Sequence, residues 1–145
     1  MNRPTTPPTV LFVCVSNTGK SVIAQHLMRH TAGQTITALS AGTQARIGEQ
    51  ANPISAQALA ELGIDMSEHE PAQLDDTLIA AADLIVVLGA HAHLDHPPAD
   101  TPVQIWDTDE PSLRGIDGLD RMRIIRDDIA TRVSALAQRL AADHP

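Results

Sequence analysis

The sequence predicts an α/β fold built on a small, mostly parallel sheet of about four strands. Two observations predict it. Short apolar runs rich in β-branched residues read as strands buried on both faces, and amphipathic helical patterns alternate with them, the order that generates βα units. A third observation concerns the site: a turn of small and polar residues joins the first strand directly to the first helix.

Residues 1–8, Met-Asn-Arg-Pro-Thr-Thr-Pro-Pro, read as a flexible Pro-rich tail, and residues 9–145 as a single domain. Residues 9–15 (Thr-Val-Leu-Phe-Val-Cys-Val) form the first buried strand and residues 16–19 a turn. From Lys20, the i, i+4 recurrence of Ile23, Leu27 and Thr31, with Ala24 and Met28 beside them, predicts a helix. Residues 35–40 make a second short strand, closed by Ala41-Gly42. Ile54, Ala58, Leu59 and Leu62 mark a second helix with Gly63 as its C-cap, and Leu74, Leu78, Ile79 and Ala82 mark a third. Residues 83–88 are another buried strand and residues 103–106 a short last one. The stripe Leu119, Met122, Ile125, Ile129, Val133, Leu136 and Leu140 predicts a long closing helix. In such sheets ligands bind beyond the carboxyl ends of the strands, where Cys14, Gly89 and the segment after Trp106 fall.

Composition narrows the function classes. A chain of 145 residues with 43% hydrophobic and 19% charged residues is globular and has room for one domain. Aromatic residues amount to 1%, Phe12 and Trp106, so the core is aliphatic. The net charge of −8, with no cluster of Lys or Arg, argues against nucleic-acid binding. An acidic protein that binds an anion must create a local positive site against its own field. No apolar run approaches the roughly 18 residues of a membrane span, and the N-terminus lacks the apolar stretch of a signal peptide. The expected location is the cytoplasm, where a free thiol stays reduced. The one cysteine, Cys14, permits neither an internal disulfide nor a cysteine-rich zinc site.

The loop Cys14-Val15-Ser16-Asn17-Thr18-Gly19-Lys20-Ser21 carries the chemistry. Successive backbone N–H groups in a turn before a helix form an anion-binding concavity. The helix N-terminus adds about half a positive charge, and the same field favours thiolate over thiol at Cys14. Lys20 contributes a full charge, Ser21 can donate to the sulfur, and Asn17 can brace the loop. An inert buried cysteine is the ordinary alternative, but an inert strand has no need of such a turn followed by a cation. A nucleotide-binding loop is a second alternative, because Cys14-x4-Gly19-Lys20-Ser21 differs from G-x4-G-K-[ST] only at its first position. Against it stand that cysteine, the absence of an Asp for Mg²⁺ where the strand at 84–88 runs into Gly89, and the shortness of the chain. A non-catalytic oxyanion-binding protein is a further alternative.

Residues 10–21 resemble the active loop of low-molecular-weight protein tyrosine phosphatases and of the thiol-linked arsenate reductases that share their fold. Ser40-Ala41-Gly42-Thr43 and Leu62-Gly63-Ile64-Asp65-Met66-Ser67 resemble two further segments of that superfamily, residues 106–111 its acid loop, and residues 121–128 the start of its closing helix. The loop and the stretch Thr108-Asp-Glu-Pro-Ser-Leu-Arg-Gly115 are most similar to single-cysteine arsenate reductases of the arsenate–mycothiol transferase type. The resemblance implies a three-layer αβα fold and a Cys14 thiolate that attacks arsenate or a phosphate-like oxyanion. It implies no bound cofactor and no metal. The co-substrate would be an external small thiol, mycothiol or an equivalent, and a glutaredoxin-like mycoredoxin would complete the reduction. The acid of the family precedes the proline, which points to Glu110, with Asp109 left open.

Three departures bear on this. The phosphatases carry Arg where this chain has Lys20, and Lys is a point charge where Arg grips two oxygens. The thioredoxin-linked reductases carry two more cysteines on the loop after the third strand, and this chain has none there. Some reductases bind potassium through an acidic residue at the position of Gln25. A low-molecular-weight tyrosine phosphatase is the main alternative function, although Trp106 is the only aromatic residue near the expected cleft.

His91, His93 and His96 suggest a metal site only weakly, and read as a solvated loop. Arg121, Arg123 and Arg126 alternate with Asp120, Asp127 and Asp128 and read as a salt-bridged helix surface. Arg46 and Arg114 are candidates for binding acidic groups of the thiol.

Overall fold

The computed structural model describes residues 6–143. Four strands, β1 (Thr9–Cys14), β2 (Thr37–Gly42), β3 (Leu84–Leu88) and β4 (Val103–Trp106), form one parallel sheet in the order β2-β1-β3-β4. The helices are α1 (Lys20–Ala32), α2 (Pro53–Ala60), α3 (Asp76–Ala81) and α4 (Gly118–Asp143). The α/β fold with a small parallel sheet is therefore as the sequence predicts.

The three layers follow from the period-2 alternation of strands buried on both faces. Val10, Phe12, Val86 and Leu88 pack on one side against α1, α2 and α4 through residues such as Ile23, Leu59 and Ile129. Leu11, Val13, Ile85 and Val87 pack on the other against Leu78 and Ile79 of α3. Phe12 and Trp106 meet with ring centroids 5.8 Å apart at a tilt of 56°, and the rest of the core is aliphatic and Met-containing.

Some element ends differ from the sequence reading. Tail residues 1–5 lie outside the described residues, but Pro8 is buried and its carbonyl accepts from Thr37 N at 2.9 Å, so the ordered chain starts before Thr9. β2 starts at Thr37 because a 3-10 turn, Gly33–Thr35, intervenes. α2 opens on Asn52, whose side chain accepts from Ile54 N and Ser55 N, with Pro53 in the first turn. It ends at Ala60, and Gly63, at φ 76°, closes the turn that follows. α3 starts only after Asp75 caps Leu78 N at 2.8 Å; Leu74 instead donates its N–H to Gly42 O at 2.9 Å.

The parallel register places Cys14 opposite Gly42. The carboxyl ends of β1, β3 and β4 then present Cys14, Gly89 and Asp107 around one cleft. Among the described residues, no helix is long and apolar enough to cross a membrane.

Candidate active site

The loop between β1 and α1 is held by its carbonyls. Thr43 N donates to Cys14 O at 2.9 Å, Gln44 N to Val15 O at 2.8 Å, Arg46 N to Ser16 O at 3.0 Å, and Asn52 N to Thr18 O at 2.8 Å. The N–H groups of Val15, Ser16, Gly19 and Lys20 make no hydrogen bond within the described residues. A loop whose carbonyls are all engaged from outside keeps its amides for an anion. α1 begins beside them with Gly19 as N-cap, no side-chain cap and no acidic residue in its first turn. A cation at this end opposes the helix dipole, which makes Lys20 a residue placed for the site rather than for the helix.

Cys14 is 7% exposed, and its sulfur has two donors or donor-capable groups beside it: Ser21 Oγ at 2.9 Å and Asn17 N at 3.3 Å. Asn17 is fully buried with φ 58°, the left-handed conformation that Asn tolerates better than most residues. Its Nδ2 donates to Ser21 Oγ at 2.8 Å and to Ser40 Oγ at 3.0 Å, and its Oδ1 accepts from Ala72 N at 2.9 Å. His69 Nε2 donates to Asn17 O at 3.0 Å and lies 3.1 Å from its Oδ1. Ser40 Oγ passes the chain on to Gln25 Oε1 at 2.6 Å, and Gln25 Nε2 donates to Ala38 O at 3.2 Å. Gln25, at the position tied to potassium in the sequence analysis, is thus a neutral amide with both ends engaged.

Cys14, Val15, Ser16, Thr18, Gly19 and Lys20 line a cleft of 510 Å³. Asn17 and Ser21, read from the sequence as part of the same anion-binding loop, lie behind the sulfur and brace it. The opposite wall carries Asp107, Thr108, Glu110, Leu113 and Arg121, with Met122 and Ile125 between. Lys20 reaches across this gap: its Nζ is 3.6 Å from Glu110 Oε1, and a Cβ on Gly89 would sit 3.7 Å from it.

The two carboxylates proposed as acids separate here. Glu110 lines the cleft, gripped by Arg121 through Nε to Oε2 and Nη2 to Oε1, both at 3.0 Å, and bonded by Ser112 Oγ at 2.9 Å. The Arg121 guanidinium, above all, holds the Glu110 carboxyl down at about 2 against an ordinary 4.5. Asp109 is not on the cleft. Its carboxylate is bound by Arg114 at 2.8 and 3.0 Å, which lowers its pKa, and its backbone N–H donates to Asp128 at 2.8 Å.

Several residues of the cleft had no site role in the sequence analysis. Asp107 and Thr108, placed by the sequence in the segment resembling the acid loop without a role for either, lie on its wall. Arg121 belongs to the site; Arg123 binds Glu61 and Asp120 on the surface as expected, whereas Arg126, 8% exposed, is a buried cation that binds Glu61, Asp127 and the carbonyl of Ala58. His91 is on the rim, whereas His93 and His96 are not. Among the described residues no three His, Cys, Asp or Glu side chains are grouped to hold a metal. Arg46 pairs with Glu49 at 3.7 Å and Arg114 with Asp109, and neither lines the cleft. Gly42, noticed only as part of a segment, supports the loop from below: a Cβ there would lie 2.5 Å from Val15 O and 3.0 Å from Asn17 N.

Comparisons with known proteins agree with this geometry. The family model described as low molecular weight phosphotyrosine protein phosphatase matches residues 9–145. A probable low molecular weight protein-tyrosine-phosphatase of Ralstonia solanacearum is 42% identical over 81 residues, 56% of this chain and 55% of that protein, so the match spans about half the length of that relative. An arsenate reductase of Brevibacillus brevis is 30% identical over 132 residues, 90% of this chain and 94% of that protein. Among solved structures, a thioredoxin-dependent arsenate reductase of Corynebacterium glutamicum superposes with a TM-score of 0.77 at 27% identity, over 97% of this chain and 65% of that one. With its family match running from residue 9 to residue 145, the chain belongs to the low-molecular-weight phosphotyrosine protein phosphatase family.

Proposed function

We propose that the chain is an arsenate reductase in which Cys14 forms a covalent adduct with arsenic and an external small thiol removes it. The observation that carries this reading is a lone cysteine at the centre of an amide-rich loop, closed by Lys20 where the phosphatases have Arg. The Cys14 thiolate attacks arsenate at arsenic, an As–O bond breaks, and the oxygen leaves as water once protonated. A small thiol, mycothiol or an equivalent, then attacks the arsenic. The S–As bond to Cys14 breaks, a new one forms to the small thiol, and arsenic is still at oxidation state five. A further thiol, delivered by a glutaredoxin-like mycoredoxin, takes the adduct to arsenite and a disulfide. No second cysteine in this chain can perform that step internally. The site needs no bound cofactor, and a cytoplasmic location supplies the reduced thiols.

A phosphatase is the second reading, favoured by the 42% identity over 81 residues to the Ralstonia protein. Turnover decides between them. The purified protein is assayed with arsenate in the presence of mycothiol and its redox partners, and in parallel with an aryl phosphate. Arsenate consumption that requires the thiol, and that Cys14→Ser abolishes, supports the reductase. Brisk thiol-independent hydrolysis of the aryl phosphate overturns it in favour of the phosphatase.

A further inference from the structure

We propose that Lys20 is a modification site: an acyl phosphate docks by its phosphate on the amides of the loop and transfers its acyl group to the Lys20 amine, which removes the cation that closes the loop. The inference goes beyond the proposed reaction. It rests only on the loop holding a tetrahedral oxyanion, which the reductase and phosphatase readings share.

Lys20 is the only lysine of the chain, beside nine arginines. A guanidinium keeps its proton and is no nucleophile at neutral pH, whereas a lysine amine that sheds its proton is one. The molecule therefore carries a single side-chain amine, and that amine stands in the oxyanion cleft with Cys14, Val15, Ser16 and Gly19. It is loosely held. Among the described residues Nζ has one ion pair, 3.6 Å from Glu110 Oε1, and no hydrogen bond. The side chain is 22% exposed, and on its other side Gly89 leaves open space: even a Cβ built there would stand 3.7 Å from Nζ.

A mixed carboxylic–phosphoric anhydride has the two parts such a site can use. Its phosphate is a tetrahedral anion for the amides, and one bridging oxygen away lies an activated carbonyl carbon. A cation in contact with the bound phosphate is within reach of that carbon, and holding the two together replaces a bimolecular encounter. The cleft of 510 Å³ has room for an acyl group beyond the tetrahedral head, against Leu113, Met122 and Ile125. The ε-ammonium gives a proton to water and the amine attacks the carbonyl carbon. An N–C bond forms, the C–O bond to the bridging oxygen breaks, and inorganic phosphate leaves with the second proton of the nitrogen. Nothing is oxidised or reduced. The amide product is neutral, so the loop keeps its N–H groups and loses its full positive charge, in a protein of net charge −8.

Acetyl phosphate is the probe, and peptide mass mapping reads the acetyl group at Lys20. Wild type and Cys14→Ser are both treated, because attack of Cys14 at phosphorus consumes the donor without modifying an amine. Acetic anhydride, an acetyl donor without a phosphate, corrects for exposure, and the chain unfolded in guanidinium chloride gives the unguided rate with each donor.

The folded-to-unfolded rate ratio at Lys20 is expected to be at least about tenfold higher for acetyl phosphate than for acetic anhydride, and inorganic phosphate is expected to lower the acetyl phosphate rate. Phosphate is also expected to raise the melting temperature of the acetylated protein less than that of the untreated one. Equal ratios for the two donors, an acetyl phosphate rate that inorganic phosphate does not lower, or acetylation that spares Lys20 in both proteins would overturn the site while leaving the reductase and phosphatase readings standing. An untreated protein whose melting temperature does not respond to phosphate would remove the oxyanion cradle itself, and with it this proposal and both readings.

Discussion

The hydroxyl of Ser21 stands 2.9 Å from the sulfur of Cys14. Ser21 Oγ accepts from Asn17 Nδ2 at 2.8 Å, and toward a Cys14 thiolate, which has no proton to give, its own O–H is the donor. That bond supports negative charge on the sulfur both when it attacks and when it leaves. Hydrogen bonds to charged groups contribute about 1.5–3 kcal/mol, so Ser21→Ala is expected to lower kcat roughly 10- to 100-fold with little change in KM for the oxyanion. Steady-state kinetics check this, and an unaltered kcat would remove Ser21 from the mechanism.

Asn17 joins a backbone requirement to a side-chain one. Its φ of 58° is costly for Ala and free for Gly, whereas both substitutions delete the bonds to Ser21, Ser40 and Ala72. Asn17→Gly therefore measures the network alone, and Asn17→Ala adds about 1–2 kcal/mol of left-handed strain. Urea unfolding of the two variants is expected to give a lower midpoint for Ala than for Gly, with both below wild type. Equal midpoints would mean that the loop relaxes out of this conformation once its anchor is gone.

Much of this structure is legible in the sequence because β1 and β3 are buried and announce themselves by composition. What is not legible depends on register and packing. Nothing in Ser40-Ala41-Gly42-Thr43 says that Gly42 lies opposite Cys14. Arg121, Arg123 and Arg126 look equivalent in an alternating charge pattern, but helix geometry turns Arg123 and Arg126 toward Glu61 and Arg121 toward Glu110. Asp107 and Glu110 reach the cleft while Asp109 does not, because a 3-10 turn from Pro111 to Arg114 brings Arg114 back onto Asp109.

Gly42 is where that register becomes a constraint on chemistry. Its φ is not positive, so Ala is allowed by the backbone and excluded by space: the new Cβ would sit 2.5 Å from Val15 O. The neighbour is main chain of the oxyanion loop, which must shift. Gly42→Ala is expected to cost about 1–3 kcal/mol of stability and, through displaced amides, at least about 100-fold in kcat/KM. Wild-type kinetics in this variant would show that the loop tolerates the displacement.

The loop also rests on a titratable pair. His26 and His69 are half-buried with ring centroids 6.2 Å apart, and burial pushes both below their ordinary 6.5. The unfolded chain then takes up protons at a higher pH than the folded one, so the stability these rings contribute is complete above 6.5 and falls as pH drops through their folded values. Urea midpoints are expected to be level from about pH 8 to 7 and to decline toward about pH 5.5. His26→Gln, which leaves the bonds of His69 to Asn17 in place, should shallow that decline. An undiminished decline would assign it to other groups.

The clamp on Glu110 decides where the proton for the leaving oxygen comes from. With Arg121 holding its carboxyl at about 2 rather than 4.5, Glu110 is ionised throughout the neutral range, and an ionised carboxylate has no proton to give. If Glu110 is the acid, the entering oxyanion must loosen the grip of Arg121 or draw on a very small protonated fraction. Arg121→Gln removes the largest cause of the depression, leaving Ser112 at 2.9 Å and Lys20 at 3.6 Å. The Glu110 carboxyl then moves back up. The expected outcome is a basic limb of the kcat profile that shifts to higher pH in Arg121→Gln, with Glu110→Gln nearly inactive at every pH. The same variant is expected to keep its stability to a lower pH relative to its own neutral value, because a carboxyl whose folded pKa lies nearer its unfolded one contributes less of the stability that wild type loses between 4.5 and 2. A limb that does not move, together with an active Glu110→Gln, would take Glu110 out of the proton path and leave Asp107 as the other carboxylate on the cleft.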